Sequence, residues 1–332
     1  MSTTAPTTLI TGGTGLIGAA LAAQLLARDE RVVLFDAAPA GARLDALSRH
    51  GDRVTLVRGD VQSLAELADC MRAHRPRAVV HLAFVLGADG NKAPERATRI
   101  NILGTVNALE AARLTGVPRV LIASSIAVYG SDDQYPPDAL PITEDAPAWV
   151  CQSLPIYGGG KLHGEHLAQT YAQHHGLVTG GLRPSVVYGW GRASGSSAFL
   201  GAIIDKPAVG EPASVPFGDA AISFVHVDDV AGQFAALLEA DPAVFARRRF
   251  FNTGGDTVTV RELADTVRRL IPGARIDVRS KGERDFGGLV TRVSDRALQD
   301  AVGYQRRLSP IDVGVRAQIE VARAMASLPA RP

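Results

Sequence analysis

Cysteine is scarce in this sequence, since only Cys70 and Cys151 occur in 332 residues. Two thiols provide neither a disulfide framework nor a cysteine-rich zinc site. A chain of this length can bury a large core without such cross-links. We therefore expect a fold held together by packing, in a reducing compartment.

The sequence also lacks an excess of charge of either sign and any long apolar run. Lys and Arg number 35 against 34 Asp and Glu, which favours neither nucleic acid nor an anionic membrane as a partner. No apolar stretch approaches the roughly 20 residues that cross a bilayer. The first eight residues contain no Lys or Arg, unlike a signal peptide. We expect a cytoplasmic protein that binds no nucleic acid and no membrane.

Short apolar runs alternate with helical patterns before Arg183. The predicted strands cover residues 8–11, 31–36, 54–60, 78–82, 119–124 and 178–183. The predicted helices between them cover residues 16–28, 63–74, 97–114 and 156–175. Continuous apolar strands are typical of a sheet buried on both faces, and the alternation predicts an α/β fold with a doubly wound parallel sheet of the Rossmann type.

The pattern changes after Arg183, where residues 188–220 are rich in Gly, Ser and Pro. Further strands are predicted at 224–227 and 249–252, and further helices at 228–239, 260–270 and 309–326. We predict a dinucleotide-binding domain of residues 1–183, to which 222–253 returns. Residues 184–221 and 254–332 form a smaller C-terminal α/β substrate domain.

A glycine-rich loop joins the first predicted strand to the first helix. Gly12 allows a tight turn, Gly15 lets the backbone approach a pyrophosphate, and Gly18 allows the helix to pack closely on the strand. Asp36 ends the second strand, where a carboxylate accepts hydrogen bonds from a ribose and repels a 2′-phosphate. The sequence therefore predicts NAD as the cofactor, although Arg43 could partly offset that repulsion.

Tyr157 and Lys161 are four residues apart, which places them on one face of a helix. A nearby ammonium is expected to lower the pKa of the phenol, so that Tyr157 can act as a general acid or base. Ser124 and Ser125 follow a buried strand at the edge where such sheets bind ligands. Either serine could bond a substrate hydroxyl or simply cap a turn.

Eight motifs occur in the order in which one known family carries them. They are T-G-x-x-G-x-x-G from Thr11, Gly59-Asp60-Val61, His81-Leu82-Ala83, Asn101-x-x-Gly104-Thr105, Ser124-Ser125-x-x-Val128-Tyr129-Gly130, Tyr157-x-x-x-Lys161, Arg183-Pro184-x-x-Val187-Tyr188-Gly189 and Val225-His226-Val227-Asp228-Asp229. With this set the sequence resembles the extended short-chain dehydrogenase/reductase family, specifically its NAD-dependent epimerase/dehydratase group, over nearly its whole length.

The resemblance implies catalytic roles for Ser125, Tyr157 and Lys161, and an orienting role for Asn101. The residues expected at the cofactor are Gly12, Gly15, Leu16, Ile17, Asp36, Asp60, Val61, Leu82, Ala83, Asn101, Tyr157, Lys161, Pro184 and Val187. The resemblance also implies a homodimer, in which the helices near 97–114 and 156–175 pair as a four-helix bundle.

Two departures from the family pattern narrow the substrate. Members that resemble UDP-galactose epimerases carry an Arg for the diphosphate where this chain has Ile222, and Ile cannot replace that Arg. Dehydratases follow the catalytic position with two carboxylates, where this chain has Ile126 and Ala127. A nucleotide sugar and a dehydration are both disfavoured, although Arg192, Arg284 or Arg292 could supply the missing charge.

The expected reaction interconverts a secondary alcohol and a ketone on a small sugar-like or hydroxy-acid substrate, with Tyr157 as general acid or base. The residues expected at the substrate are Phe84, Val85, Ser125, Ile126, Ser196 and Arg292. Two alternatives stay open: an NAD-dependent nucleotide-sugar 4-epimerase and a non-catalytic NAD(P)-sensing protein. Histidines near 163–175 lack the spacing of a metal site, so no metal is expected.

Overall fold

The computed structural model describes residues 5–41, 43–192, 195, 198–280 and 288–327. Its strands are β1 (Thr7–Thr11), β2 (Arg31–Asp36), β3 (Val54–Arg58), β4 (Ala78–His81), β5 (Arg119–Ala123), β6 (Val178–Arg183), β7 (Val186–Tyr188), β8 (Ala213–Val215), β9 (Ala221–His226), β10 (Phe250–Asn252), β11 (Asp256–Thr259) and β12 (Ile276–Val278). Within the described residues the main sheet has seven strands in the order β10-β6-β5-β4-β1-β2-β3, all parallel. This order confirms the predicted doubly wound sheet, in which successive strands are added in one direction from β1 to β3 and in the opposite direction from β4 onward.

The helices connect these strands and cover the sheet. They are α1 (Leu16–Leu26), α2 (Leu44–Ser48), α3 (Leu64–His74), α4 (Gly87–Lys92), α5 (Pro94–Thr98), α6 (Gly104–Thr115), α7 (Pro155–His175), α8 (Phe199–Ala208), α9 (Val227–Glu239), α10 (Pro242–Arg247), α11 (Val260–Leu270), α12 (Arg296–Val302) and α13 (Ile311–Ala326). No helix of the described residues is long and apolar enough to cross a membrane.

Alternate residues of each central strand enter different cores. On β1, for example, Ile10 packs in the cluster that contains α1 and α9, whereas Leu9 packs with α3, α6 and α7. Both side chains are fully buried. Because the sheet is covered on both faces, its central strands are mostly apolar and their Thr8, Thr11 and Thr179 are also buried.

The segment after β7 returns to the main sheet once, through β10. α9 packs on α1, and β10 pairs with β6 at the sheet edge. β9, however, lies in a separate three-stranded sheet between β11 and β7. The strand predicted at 224–227 therefore belongs to this smaller sheet, where β9 pairs in antiparallel register with β11 of the C-terminal region.

The helix predicted at 97–114 is interrupted. α5 is followed by a π-helical turn at Arg99–Leu103, and α6 begins directly after it at Gly104. A Cβ at Gly104 would lie 2.7 Å from Cγ2 of Val61, so the absence of a side chain there lets the helix pack closely on the segment after β3. The π turn also brings Asn101 inward, with consequences for the site.

Candidate active site

The glycine loop lies at the carboxyl end of β1. Gly12 has φ +63°, and a Cβ on it would lie 2.8 Å from the backbone N of Ala83, so glycine is required on both counts. Gly15 is the N-cap residue of α1, and the first backbone N–H groups of this helix have no partner within the helix. Gly18 packs against this turn, since a Cβ there would lie 2.7 Å from the carbonyl O of Gly12. The loop presents a helix N-terminus that is suited to a pyrophosphate.

Asp36 lies beside this loop at the end of β2. Its Oδ2 accepts hydrogen bonds from Oγ1 of Thr14 at 2.7 Å and from N of Thr14 at 3.2 Å. Arg43 is turned away, since it donates to the carbonyl O of Trp190 and pairs with Asp228 at 3.3 Å. Arg43 does not line the cavity described below. The possibility that Arg43 offsets the charge of Asp36 is therefore wrong, and the site favours a free ribose over a 2′-phosphate.

A cavity of about 740 Å³ runs from the glycine loop to the start of α7. It is lined by seventeen of the residues expected from the sequence. These are Gly12, Gly15, Leu16, Ile17, Asp36, Asp60, Val61, Leu82, Ala83, Phe84, Val85, Ser125, Ile126, Tyr157, Lys161, Pro184 and Val187. One cavity thus joins the predicted cofactor residues to the predicted catalytic residues.

Asn101 does not line this cavity. Its side chain is buried, its Oδ1 accepts from the backbone N of Val85 at 2.7 Å, and its Nδ2 donates to the carbonyl O of Val85 at 3.2 Å. Both ends of the amide are therefore used to hold the segment that carries Phe84 and Val85. Asn101 positions the cavity wall, and its predicted contact with the cofactor is wrong.

Arg292, one of the expected substrate residues, is not brought to the cavity. The side chain of Arg292 is exposed, while its neighbour Val293 forms a bridge with Ile142 and points inward. Because neighbouring residues of an extended segment face opposite sides, Arg292 points outward. Its predicted substrate contact is wrong. Ser196 lies outside the described residues, as does Arg284.

Tyr157, Ser125 and Lys161 lie close together at one end of the cavity. The Tyr157 hydroxyl shares a side-chain hydrogen bond with Ser125. Nζ of Lys161 lies 5.6 Å from the centre of the Tyr157 ring and 3.4 Å from that of Phe84, and it donates to the carbonyl O of Ala123 at 2.5 Å. The Phe84 and Tyr157 rings meet edge to face at 5.6 Å. The Phe84 ring therefore packs against the side chains of both Tyr157 and Lys161.

The electrostatics of this group differ from the expectation. Burial raises the pKa of Tyr157, and the hydrogen bond from Ser125 and the charge of Arg192 oppose that rise. Burial also lowers the pKa of Lys161 to about 7. The prediction that Lys161 depresses the pKa of the phenol was wrong, because desolvation dominates at both groups.

A buried ion pair, which the sequence analysis missed, lies behind the catalytic residues. Glu165 accepts two hydrogen bonds from Arg183, at 2.8 Å and 2.6 Å, and one from Ser124 at 2.5 Å. Arg183 also donates to the hydroxyl of Tyr129 at 2.6 Å. The signal was present in the spacing, because Glu165 follows Lys161 by four residues and so shares its face of α7. The pair joins α7 to the ends of β5 and β6.

The fold and the cavity define an enzyme of the dinucleotide-binding Rossmann class. The sequence profile of the NAD-dependent epimerase/dehydratase family matches residues 8–252, and the chain belongs to this family. It is 32% identical over 261 residues to a UDP-glucose 4-epimerase of Mycolicibacterium smegmatis, which covers 77% of this chain and 80% of that protein. The predicted family is confirmed, and the chain is an enzyme of the NAD-dependent epimerase and dehydrogenase type.

Solved structures agree with this assignment. The UDP-glucose 4-epimerase of Thermus thermophilus in complex with NAD superimposes with a TM-score of 0.81 at 25% identity, over 96% of this chain and 99% of that one. An L-threonine dehydrogenase of Cupriavidus necator gives a TM-score of 0.77 at 24% identity, over 97% of this chain and 100% of that one, which shows the shared fold alone. The expectation of NAD as cofactor is confirmed at the level of the family.

Proposed function

We propose that this enzyme is a dehydrogenase, which oxidises a secondary alcohol of a small sugar-like or hydroxy-acid substrate to a ketone with net reduction of NAD. The observation that carries the proposal is the position of Ile222. Its side chain is 4% exposed, packs in the apolar core of the C-terminal region and does not line the cavity. A residue of this kind offers a diphosphate neither a positive charge nor a side-chain hydrogen-bond donor.

The residues of the cavity divide into a cofactor part and a reaction part. The glycine loop would hold the pyrophosphate of NAD and Asp36 the adenosine ribose. Asp60 and Val61 would lie at the adenine, and Leu82 and Ala83 at the ribose. Pro184, Val187 and Lys161 would lie at the nicotinamide end. NAD supplies the hydride acceptor and a positive charge on the nicotinamide ring when it is bound.

Proton transfer falls to Tyr157 in this proposal. During oxidation Tyr157 would act as the phenolate, a form that the positive charges of Arg192 and of bound NAD favour, and would take the proton of the substrate hydroxyl. During reduction the neutral phenol would return this proton to the substrate oxygen. Ser125 bonds this phenol and is placed to bond the same substrate oxygen, so that the substrate is oriented before transfer. Phe84 and Ile126 line the cavity beside these groups and exclude water.

A substrate panel tests this proposal. The protein is incubated with NAD and with neutral sugars, sugar acids, hydroxy acids and UDP-sugars, and absorbance at the wavelength of NADH is followed. The proposal expects stoichiometric NADH and ketone from a small substrate and none from UDP-sugars. Turnover confined to UDP-sugars without accumulation of NADH would overturn it.

A second candidate is a nucleotide-sugar 4-epimerase, and the 32% identity to a UDP-glucose 4-epimerase favours it. In that reaction the hydride returns to the substrate, and NAD stays bound. Protein that is purified with stoichiometric NAD and inverts a UDP-sugar without net NADH would decide for this candidate. A purely NAD(P)-sensing role is not proposed, since the family assignment shows an enzyme.

We also infer a homodimer through α6 and α7, in the cytoplasm, as the sequence suggested. Leu103 lies directly before α6, and Leu114 lies near its end. Both are large apolar side chains at the surface, with exposed fractions of 41% and 49%. Burial of such side chains against a second copy would remove apolar surface from water.

A further inference from the structure

Arg192 lines the reaction end of the cavity and lies near Tyr157. It follows β7 on the loop that leaves the main domain, and its side chain is half-buried. Its Nη1 donates to the carbonyl O of Val187 at 2.6 Å. A Cβ placed on Gly195 would lie 3.7 Å from Nη2 of Arg192 and 3.3 Å from Cδ1 of Leu86. The guanidinium is therefore bonded to the carbonyl O of Val187 and lies beside Gly195.

The loop that carries Arg192 is held in place by contacts with α8 and with the C-terminal region. The backbone N of Gly191 donates to the carboxylate of Asp205, and Oδ1 of Asp205 also accepts from Nε2 of Gln318 at 2.7 Å. A Cβ on Gly201 would lie 2.7 Å from the carbonyl O of Arg192, so α8 packs directly against this backbone. Packing and hydrogen bonds therefore fix the backbone that carries Arg192. A guanidinium on a fixed backbone is suited to bind a ligand in a defined orientation.

The charge of Arg192 persists at neutral pH and reaches the catalytic tyrosine. Burial lowers the pKa of Arg192 to about 10, which leaves the guanidinium protonated at pH 7. Its positive charge lowers the pKa of Tyr157 against the effect of burial. An anion that binds Arg192 would therefore lie near the atom that takes the substrate proton.

The rest of the reaction end suits an anion with a small apolar body. Among the described residues, the carboxylates that line the cavity are Asp36 and Asp60, which follow β2 and β3 at the opposite end. The described walls near Arg192 and Tyr157 are mainly apolar, with Leu86, Leu154 and Leu289 among them. A bound carboxylate would meet no like charge from these residues, and a planar guanidinium matches it with two parallel hydrogen bonds.

We propose that Arg192 binds a carboxylate of the substrate, so that the enzyme acts on hydroxy acids or sugar acids whose hydroxyl-bearing carbon is a short distance from the acid group. This inference rests on the proposed dehydrogenase function and names its substrate class. A diphosphate is the competing anion, and it carries more charge than one guanidinium neutralises.

Binding to the NADH-loaded enzyme tests the inference without turnover, because an alcohol and NADH form a dead-end complex. Calorimetric titrations compare matched pairs: D-gluconate with sorbitol, D-glucuronate with D-glucose, and 3-hydroxybutyrate with 3-hydroxybutanamide. UDP is titrated as the diphosphate probe. At least one carboxylate is expected to bind about 10- to 100-fold more tightly than its neutral partner, as for a charged hydrogen bond.

Arg192→Gln is expected to abolish this preference and to leave the affinity for the neutral partner unchanged. Arg192→Lys keeps the charge but loses the planar fork, and it should retain part of the preference. Arg296→Gln is the matched control, because Arg296 is an exposed arginine whose ion pair with Asp300, at 3.7 Å, is also exposed. Affinity for NADH checks that each variant is folded.

Three results would overturn the inference. The first is wild-type enzyme that binds no carboxylate more tightly than its neutral partner, a measurement that does not depend on the variants. The second is a carboxylate preference that Arg192→Gln retains in full. The third is UDP that binds more tightly than every carboxylate and loses affinity in Arg192→Gln. If the carboxylate preference is present but no panel member yields NADH, the inference stands and the proposed dehydrogenase function fails.

Discussion

At the scale of the residue, Tyr157 carries the proton in the proposed reaction. Its phenol is bonded by Ser125 and lies beside the edge of Phe84. Replacement by Phe keeps the ring and its packing but removes the group that exchanges the proton. We expect Tyr157→Phe to lower kcat by about 10²- to 10⁴-fold.

The affinity of Tyr157→Phe for NAD should stay within a few-fold of wild type, measured by fluorescence titration. Tyr171→Phe is the matched control on the same helix, because its hydroxyl bonds Glu110 at 3.0 Å and does not line the cavity. A Tyr157→Phe enzyme with wild-type kcat would exclude Tyr157 as the general acid or base.

Lys161 gives a pH dependence of stability that can be tested in the protein without cofactor. Burial lowers its pKa from 10.5 to about 7. The unfolded chain then binds more protons than the folded protein between these values, so this side chain costs stability increasingly as the pH falls from 10.5 to 7. The cost is complete below pH 7.

We therefore expect Lys161→Met to gain stability relative to wild type as the pH is lowered across this window. The full change is on the order of 5 kcal/mol, from 1.36 kcal/mol for each unit of pKa. Urea unfolding of both proteins at pH 7, 8.5 and 10 measures the difference. A difference in unfolding free energy that is constant with pH would contradict the depressed pKa.

At the scale of the element, the Glu165–Arg183 pair connects α7 to the sheet behind the catalytic residues. Both side chains are largely buried, with exposed fractions of 7% and 13%. We expect Glu165→Gln to destabilise the protein by about 3–5 kcal/mol, because Arg183 is left buried without a counter-charge. Chemical unfolding measures this loss.

The same variant should lower kcat more than it raises KM, because α7 and Ser124 lose their common anchor while the cofactor contacts remain. Glu110→Gln is the matched control, since its pair with Arg113 is more exposed and should contribute at most about 1 kcal/mol. A Glu165→Gln enzyme that loses stability but keeps both kinetic constants would limit the pair to a structural role.

The elements of the main sheet were largely predictable from sequence, because parallel strands that are buried on both faces form short, mostly apolar runs. β2 and β6 begin and end as expected, and β1, β4 and β5 differ by one residue. Strand pairing was less predictable, since β9 has the same apolar pattern but joins a different sheet. A short apolar run indicates burial, and it does not specify the neighbouring strand.

The site residues were also predictable where their pattern is local, and they were not predictable where their role depends on tertiary contacts. The glycine loop, Tyr157 and Lys161 have a spacing that requires little beyond one strand or one helix. The role of Asn101 and the raised pKa of Tyr157 depend on a π turn and on the burial of the whole group, which no local spacing reports. The spacing places Glu165 on the same helix face as Lys161, but its pairing with Arg183 was missed because Arg183 lies on another element.

At the scale of the whole molecule, the inferred dimer is the main structural prediction that the single chain does not test. Leu103→Arg places a charge on the outer surface of the α6 region and should dissociate the dimer. We expect its dissociation constant to rise at least about 100-fold, measured by sedimentation equilibrium. Val321→Arg on α13 is the control, as Val321 is similarly exposed at 38% on another surface. A wild-type protein that is monomeric at all concentrations would contradict the dimer.

The central claim is that the hydride taken from the substrate leaves the enzyme on the cofactor. The most direct measurement uses a substrate from the panel with deuterium on its hydroxyl-bearing carbon, together with NAD and wild-type enzyme. Mass spectrometry then locates the deuterium. The dehydrogenase proposal predicts that the label is in released reduced NAD, in equal amount to the ketone product. Deuterium recovered in an alcohol of inverted configuration, with no release of reduced NAD, would contradict it.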